Sequence, residues 1–250
     1  MKVFFHNDFY HVYTSDPASA PGRIEAVVDA IASEVEFVTA EPAKEEDIAR
    51  VHTRDHINYV KEEGLYQISA LAAGGAIQAA ITGLTQPCFA LIRPPGHHAS
   101  SGSAWGFCYF NNMSISLEVL KRQGKIKTAC VLDIDMHYGD GNVNILEPMG
   151  YVSIFNIDTH DRIDYMHQIA DIMDRCEVDI IGISAGFDNH MEDWGGVLST
   201  DDYTEIGRMV RHSAQKSGGG CFAILEGGYN HSVIGQNVLA LIKGLEEQEE

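Results

Sequence analysis

Short apolar runs alternate along this chain with longer stretches in which apolar residues recur at helical spacing. A short run of apolar, often β-branched residues is typical of a buried strand, and helical spacing is typical of a helix that buries one face. Strands are predicted over residues 2–7, 88–93, 127–135, 151–157, 178–185 and 221–226. Helices are predicted over residues 23–34, 66–82, 112–122, 163–175, 201–216 and 234–246. This alternation predicts a mostly parallel sheet with helices on both faces.

No repeat, low-complexity linker or change of composition divides the 250 residues. A chain of this length suits one domain, which buries roughly 75% of the surface that its unfolded chain exposes. The prediction is therefore a single α/β domain over residues 1–250, built on an open, mostly parallel sheet. No apolar run reaches the ~18 residues that a membrane-spanning helix needs, and the apolar start indicates a first strand rather than a secretory signal.

The formal net charge of −19 at pH 7 narrows the choice of partners. Binding to nucleic acid calls for a basic surface, so this chain is not expected to bind it. The same charge can attract cationic substrates such as amines. The five cysteines are odd in number and show no CxxC spacing, which is typical of a reduced, cytoplasmic protein. The sequence is compatible with an oligomer and does not specify one.

Four of the predicted strands end in residues that can do chemistry. The strand over 88–93 is followed by a histidine pair, and the strand over 127–135 runs into an Asp-Ile-Asp-Met-His string. Asp188 lies just after the strand over 178–185, and Tyr229 lies just after the last strand. Because ligands bind at the carboxyl ends of the strands in open α/β sheets, these side chains are expected in one crevice.

Asp135, His137 and Asp188 form the candidate metal site. Alternate residues of an extended segment point the same way, so Asp135 and His137 can bind one ion together. A catalytic zinc needs a third protein ligand and an open position for water, and Asp188 can be that third ligand. Two carboxylates and one imidazole are an oxygen-rich set, so Fe²⁺ is a chemically acceptable alternative to Zn²⁺.

His97 and His98 are the candidate proton-transfer pair. The preceding Arg-Pro-Pro-Gly turn places both just beyond a strand. Imidazole has the pKa that a general base or a general acid needs near neutral pH, and each ring needs a carboxylate to orient it. Asp133 and Asp140 flank the metal-ligand string and can serve as those carboxylates.

Tyr229 follows Gly227 and Gly228, whose missing side chains let the loop come close to a ligand. The tyrosine hydroxyl can donate to the oxyanion that forms when a carbonyl carbon becomes tetrahedral. A metal with an open coordination position, a histidine pair and this donor together describe metal-assisted hydrolysis of an amide.

Five motifs occur between residues 93 and 229, in the order RPPGHH, GFCYFNN, DIDMHYGDG, SAGFD and LEGGY. In kind and order they resemble the histone deacetylase and acetylpolyamine amidohydrolase superfamily, and LEGGY and SAGFD are closer to its class II and prokaryotic members. The resemblance implies the arginase/deacetylase fold. It also implies hydrolysis of the acetyl amide of acetyl-lysine or of a small acetylated amine or polyamine.

The resemblance implies two metal sites. The zinc ligands would be Asp135, His137 and Asp188. A structural K⁺ would lie near Asp133, Asp135 and His137, with Ser153 as a further ligand.

The resemblance also implies roles in catalysis and substrate binding. His98 would be the general base, paired with Asp140. His97 would be its partner, paired with Asp133. Tyr229 would polarise the carbonyl. The residues that would line the acyl-lysine tunnel are Gly106, Phe107 and Gly228.

Two segments are short for this family. The stretch between residues 153 and 188 lacks the long glycine-rich loop that carries an aromatic wall opposite Phe107, and the loop near 61–66 is abbreviated. A shallower and wider site is therefore expected, and the sequence identifies no aromatic residue opposite Phe107.

Two other functions stay open. A binuclear manganese ureohydrolase of the arginase kind would need more aspartates, and Gly139 occupies the next alternate position after His137. The other is a catalytically weak, deacetylase-like binding protein, which the short loops favour although every candidate ligand is present.

Overall fold

Seven short strands lie side by side in the computed structural model, which describes residues 1–247. They pair in the order β2-β1-β3-β7-β6-β4-β5, and each neighbouring pair is parallel. The strands are β1 (Lys2–Phe5), β2 (Glu36–Thr39), β3 (Cys88–Ala90), β4 (Ala129–Asp133), β5 (Val152–Asn156), β6 (Ile180–Ala185) and β7 (Gly220–Leu225). The parallel sheet confirms the predicted α/β class.

Helices connect the strands and cover the sheet. They are α1 (Arg23–Ile31), α2 (Glu45–Ile48), α3 (Arg54–Glu62), α4 (Tyr66–Gly83), α5 (Asn112–Arg122), α6 (Asp140–Leu146), α7 (Arg162–Arg175), α8 (Thr200–Lys216) and α9 (Ile234–Glu246). One group, in which α4 packs on α5, contacts β1, β3 and β7; the other, in which α8 packs on α7 and α9, contacts β6 and β7. Within residues 1–247, no helix has the length and apolar character needed to cross a membrane.

The central strands explain why the sheet could be predicted. Every residue of β4, β6 and β7 is buried, because helices cover both faces of the middle of the sheet. Strands buried on both faces are continuously apolar rather than alternating, and such runs stand out in a sequence. All six predicted strands and all six predicted helices are present, with ends that differ by a few residues.

The elements that were not predicted are short or exposed. The edge strand β2 has exposed residues at three of its four positions, so it carries no apolar run. The helix α6 has only seven residues. The predicted strand over 127–135 ends at Asp133, since the backbone leaves the ladder there. That departure takes Asp135 and His137 out of the sheet and towards the crevice at its carboxyl edge.

Asp202 connects the beginnings of α7 and α8. Its carboxylate accepts hydrogen bonds from the backbone N–H of Ser199 at 2.8 Å and from the Ser199 hydroxyl at 2.7 Å, which caps α8. It also accepts two hydrogen bonds from the guanidinium of Arg162, at 2.7 and 2.6 Å. Burial acts to raise the pKa of Asp202, but the hydrogen bonds from Arg162 and Ser199 outweigh it and lower that pKa.

The variant Asp202→Asn is expected to lower the free energy of unfolding by about 1 kcal/mol at pH 7, because it weakens a helix cap and removes a charge pair. A carboxyl group whose pKa is lower in the folded state stabilises the fold at pH values above its unfolded-state pKa of about 3.9. This stabilisation is lost as the pH falls from there through the folded-state pKa. The difference in melting temperature from the parent chain should therefore shrink between pH 7 and pH 3. Asp201→Asn, at an exposed position in the same turn, is the matched control; an equal loss in both variants would contradict the assignment.

Candidate active site

The candidate residues meet at the carboxyl edge of four adjacent strands, β3, β7, β6 and β4. The histidine pair follows β3, Tyr229 follows β7 and Asp188 follows β6. Asp133 is the last residue of β4. Strand order therefore brings residues that are far apart in the chain into one crevice, as the sequence analysis expects of an open parallel sheet.

Asp135, His137 and Asp188 lie close enough to hold one ion. Their candidate ligand atoms are all within 4.8 Å of one another. His137 Nδ1 lies 3.1 Å from Asp135 Oδ1 and 3.1 Å from Asp188 Oδ2. Both carboxylates are buried, whereas the imidazole is about one-third exposed. One nitrogen and two carboxylates, open to solvent on one side, match a catalytic zinc or iron site.

A glycine makes room for this cluster. A Cβ atom at Gly227 would lie 2.5 Å from Asp135 Oδ2 and 2.7 Å from Asp188 Oδ2. Its backbone N–H instead donates to Asp135 Oδ2 at 2.8 Å. The loop after β7 can therefore approach the carboxylates only because residue 227 has no side chain.

The charges of the cluster favour a cation. The hydrogen bonds that protonated His137 donates to Asp135 and Asp188 raise the pKa of His137 to about 10, and burial raises the pKa of Asp188 to about 7. His137 therefore shares a proton with two buried carboxylates, which partly offsets their charge. A divalent cation would provide the same compensation more completely, and it would displace that proton.

The structure also forms the two predicted histidine–aspartate pairs. His97 Nδ1 lies 3.2 Å from Asp133 Oδ2, and His98 Nδ1 lies 2.8 Å from Asp140 Oδ1. Both imidazoles are buried, and their ring centroids are 4.0 Å apart. Each ring is thus oriented by a carboxylate, which also favours the tautomer with the proton on Nδ1.

The two histidines differ in charge. Burial acts to lower the pKa of His97, but the carboxylates of Asp135 and Asp133 outweigh it and raise that pKa well above the usual value. Burial, followed by repulsion from His97, lowers the pKa of His98 to about 4. A neutral His98 can accept a proton at neutral pH, and a protonated His97 can support donation of one.

Glu226 is a functional residue whose role the sequence analysis missed. It is fully buried, and its Oε2 accepts hydrogen bonds from the backbone N–H groups of Gly96 at 2.7 Å and His97 at 3.2 Å. Burial raises the pKa of Glu226 to about 7. This carboxyl group ties the turn that carries the histidine pair to the end of β7. The polar residue directly after an apolar strand was visible in the sequence, but its target was not.

Tyr229 is held by its backbone and by its ring. Its N–H donates to Asp193 Oδ2 at 2.7 Å, and the neighbouring N–H of Asn230 donates to the same oxygen at 2.8 Å. Burial, together with the charges of Asp135 and Asp188, raises the pKa of Tyr229. The phenol therefore stays protonated near neutral pH and can act as a hydrogen-bond donor. Asp193, which fixes its loop, was not predicted.

The sequence identified no aromatic residue opposite Phe107, and the structure brings Trp194 against Tyr229. The indole ring of Trp194 stacks on Tyr229 with a centroid distance of 4.0 Å and an interplanar angle of 27°. Phe107 meets the same tyrosine edge-on with a centroid distance of 6.0 Å, and the centroids of His137 and the indole are 6.2 Å apart, also edge-on. Trp194 therefore packs on Tyr229, as Phe107 also does. Its position after the candidate metal ligand Asp188 is the only signal that the sequence offered.

The residues predicted to line the tunnel, Gly106, Phe107 and Gly228, lie beside the histidine pair and Tyr229. A Cβ atom at Gly106 would lie 2.3 Å from His98 Cδ2, so this residue packs directly on the imidazole. Phe107 has a positive φ of 66°, a conformation that non-glycine residues rarely adopt. A Cβ atom at Gly228 would lie 2.9 Å from that of Phe187.

The expectation that Ser153 would join the potassium ligands is not met. In the sheet, Ser153 is paired with Cys130, and Asp133 is paired with Asn156. Three residues of extended strand separate Ser153 from the end of β5, which is about 10 Å. The register of β5 on β4 causes this separation. Asn156 stands at the strand end instead, where its Oδ1 accepts a hydrogen bond from the N–H of Gly139 at 2.8 Å.

A second group of ligand atoms comprises His97, Cys108 and Glu226, which lie within 4.8 Å of one another. Burial raises the pKa of the Cys108 thiol well above its usual value, and the thiol donates to the carbonyl of Gly106 at 3.4 Å. A protonated thiol beside a partly protonated carboxyl group is a poor site for a divalent ion. The Asp135, His137 and Asp188 group therefore fits a catalytic metal better.

Known proteins resemble this chain in sequence. The histone deacetylase domain family matches residues 17–167 and 158–245 of the chain. The chain is 29% identical to a probable deacetylase of Archaeoglobus fulgidus over 91% of its length and 81% of the relative. It is 26% identical to a histone deacetylase-like amidohydrolase of Pseudomonas aeruginosa over 89% of its length and 74% of that protein.

A solved structure shows the same fold. The crystal structure of the HDA15 HD domain aligns with a TM-score of 0.85 and 24% identity, covering 98% of this chain and 88% of that one. This likeness confirms the predicted arginase/deacetylase fold. The family model matches the chain in two stretches rather than one, and the two stretches overlap at residues 158–167. The split falls at the connection from β5 to α7, which the sequence analysis found to be short.

Replacing Asp188 by Asn should remove most of the bound metal, because the site loses one of two anionic ligands. Elemental analysis after dialysis should then find about one divalent ion per parent chain and much less in the variant. Asp140→Asn is the matched control, since Asp140 bonds His98 and not the metal group. Equal metal content in all three proteins would contradict the assignment of Asp188.

Proposed function

Because the chain belongs to the histone deacetylase family, we propose that it is a zinc-dependent deacylase. Its substrates would be acetylated lysine side chains or small acetylated amines, polyamines among them. The observation that carries the proposal is that one crevice holds a three-residue metal group, two histidine–aspartate pairs and a protonated tyrosine. Together these groups can activate a water, stabilise an oxyanion and protonate a leaving amine, which are the tasks of amide hydrolysis.

Asp135, His137 and Asp188 would hold the metal ion. When bound, such an ion polarises the acyl carbonyl and lowers the pKa of a coordinated water towards ~7. Zn²⁺ suits this mixed nitrogen and oxygen set, and Fe²⁺ remains an acceptable occupant. We also propose a structural K⁺ near Asp133, Asp135 and His137, without Ser153.

The chain's own residues would move the protons. Neutral His98, oriented by Asp140, accepts a proton from the attacking water as the water oxygen bonds to the carbonyl carbon. The Tyr229 hydroxyl donates a hydrogen bond to the oxyanion that develops on the acyl oxygen. A histidine, for which protonated His97 is well placed, then protonates the amine as the carbon–nitrogen bond breaks. Acetate and the free amine are the products.

The walls of the site suit an extended amine or lysine side chain. Phe107 and Trp194 both contact Tyr229, so an acyl-lysine side chain that reaches the tyrosine would lie near aromatic rings. The shortened β5–α7 connection would leave a wide entrance to the site. The net charge of −19 would favour cationic substrates.

The structure disfavours a binuclear manganese site. A bridging aspartate would be needed after His137, and that position is Gly139. A Cβ atom there would lie 2.2 Å from Asp133 Oδ2, so the backbone leaves no room for a side chain. The weakly active binding protein is less favoured, because every group that the chemistry needs is present and correctly paired.

Tyr229→Phe is expected to lower kcat on an acetyl-lysine peptide about 100-fold or more, since it removes an oxyanion donor. The metal content should stay unchanged. Acetate release from the peptide and from acetylated polyamines, with and without a chelator, is the measurement. Tyr138→Phe is the control, because Tyr138, which follows His137 in the chain, is 58% exposed.

Two results would overturn the proposal. Chelator-resistant acetate release would exclude a metal-dependent reaction. Unchanged turnover by Tyr229→Phe would exclude the role given to the tyrosine. A parent chain that binds one metal ion but hydrolyses neither substrate class would favour the binding protein.

A further inference from the structure

The loop before Phe107 carries a residue that touches both members of the His98–Asp140 pair. We propose that Trp105 is a positioning residue for the general base: its indole N–H fixes the Asp140 carboxylate, and its ring fixes the His98 imidazole. This inference rests on the proposed function, because it takes His98 as the group that accepts the proton from water.

The first observation is a hydrogen bond to the orienting carboxylate. Trp105 Nε1 lies 2.9 Å from Asp140 Oδ2 and 3.2 Å from Asp140 Oδ1. Oδ1 also faces His98 Nδ1 at 2.8 Å. Asp140 is the first residue of α6, and its side chain is about one-third exposed. Without a second donor, such a carboxylate could rotate away from the imidazole; the indole N–H opposes that rotation.

The second observation is a ring contact with the imidazole itself. The indole and imidazole centroids are 3.8 Å apart, at an interplanar angle of 31°. The next residue, Gly106, has a φ of 57° and packs against His98 with no room for a Cβ atom. The backbone of this loop is therefore shaped to bring residue 105 over the imidazole.

The exposure of Trp105 argues against a role in the core. Its side chain is 55% exposed, so little of the indole is removed from water. A large apolar ring left at the surface is informative when it also makes specific contacts with a candidate site. Its indole N–H bonds Asp140 and its ring contacts His98, and these two residues are the pair that the proposed chemistry requires.

Two substitutions separate the two contacts. Trp105→Phe keeps an aromatic ring and removes the N–H donor, whereas Trp105→Leu removes both. We expect kcat to fall about tenfold in Trp105→Phe, and further in Trp105→Leu, since supporting groups of this kind typically contribute 10- to 100-fold. KM and metal content should change little, because neither contact involves the metal group or the aromatic walls.

A double-mutant cycle tests whether Trp105 acts through Asp140. In an Asp140→Asn background, Trp105→Phe should have a much smaller effect on kcat, because the charged acceptor is gone. Trp194→Phe, at the only other tryptophan of the chain, is the matched comparison. Its effect on kcat/KM should be the same in both backgrounds, as its ring contacts Tyr229 and His137 instead.

A second readout does not depend on turnover. The two indole N–H groups give two resolvable signals in a nitrogen–proton correlation spectrum. The signal lost in Trp105→Phe should shift in Asp140→Asn, and the Trp194 signal should not. If neither acetylated substrate is hydrolysed but this shift is seen, the proposed function fails and the positioning contact stands. An unshifted Trp105 signal, or equal kcat effects of Trp105→Phe in both backgrounds, would overturn the inference.

Discussion

Buried negative charge at the carboxyl edge of the sheet is the constraint on which the rest of the site depends. Asp133, Asp135, Asp188 and Glu226 are all buried there. A buried carboxylate is costly unless hydrogen bonds or opposite charges compensate it. The backbone N–H groups of Gly227, Met136 and Gly96 and the imidazoles of the site provide part of that compensation. A divalent cation would provide the rest, so metal binding and stability of this edge are coupled.

Two carboxylates hold the loops after three adjacent strands, β3, β7 and β6, close together. Glu226 fixes the turn after β3 through two backbone N–H groups, and Asp193 fixes the turn after β7 in the same way. Each carboxylate joins a loop of one strand to a loop of its neighbour. In the proposed mechanism these two residues position other groups and carry out no step themselves. They set the positions of the histidine pair and of Tyr229, whose spacing decides whether proton transfer and oxyanion stabilisation can occur together.

The sheet and the chemical residues of the site could be predicted because both are local in sequence. Buried strands appear as apolar runs, and Asp133, His98 and Asp188 each follow such a run within six residues. The contacts of Trp105 and Trp194 could not be predicted, since they depend on the three-dimensional paths of two loops. Ser153 was misplaced because the register of β5 on β4 is a long-range property. The exposed edge strand β2 left no pattern to detect.

X-ray absorption spectroscopy of the metal-loaded protein tests the central claim most directly. A metal held by Asp135, His137 and Asp188 should show only nitrogen and oxygen neighbours, at about 2.0–2.2 Å. The alternative group of His97, Cys108 and Glu226 would add a sulfur neighbour at about 2.3 Å. A spectrum without sulfur is the result that the account predicts. A sulfur neighbour would place the metal at Cys108 and contradict the account.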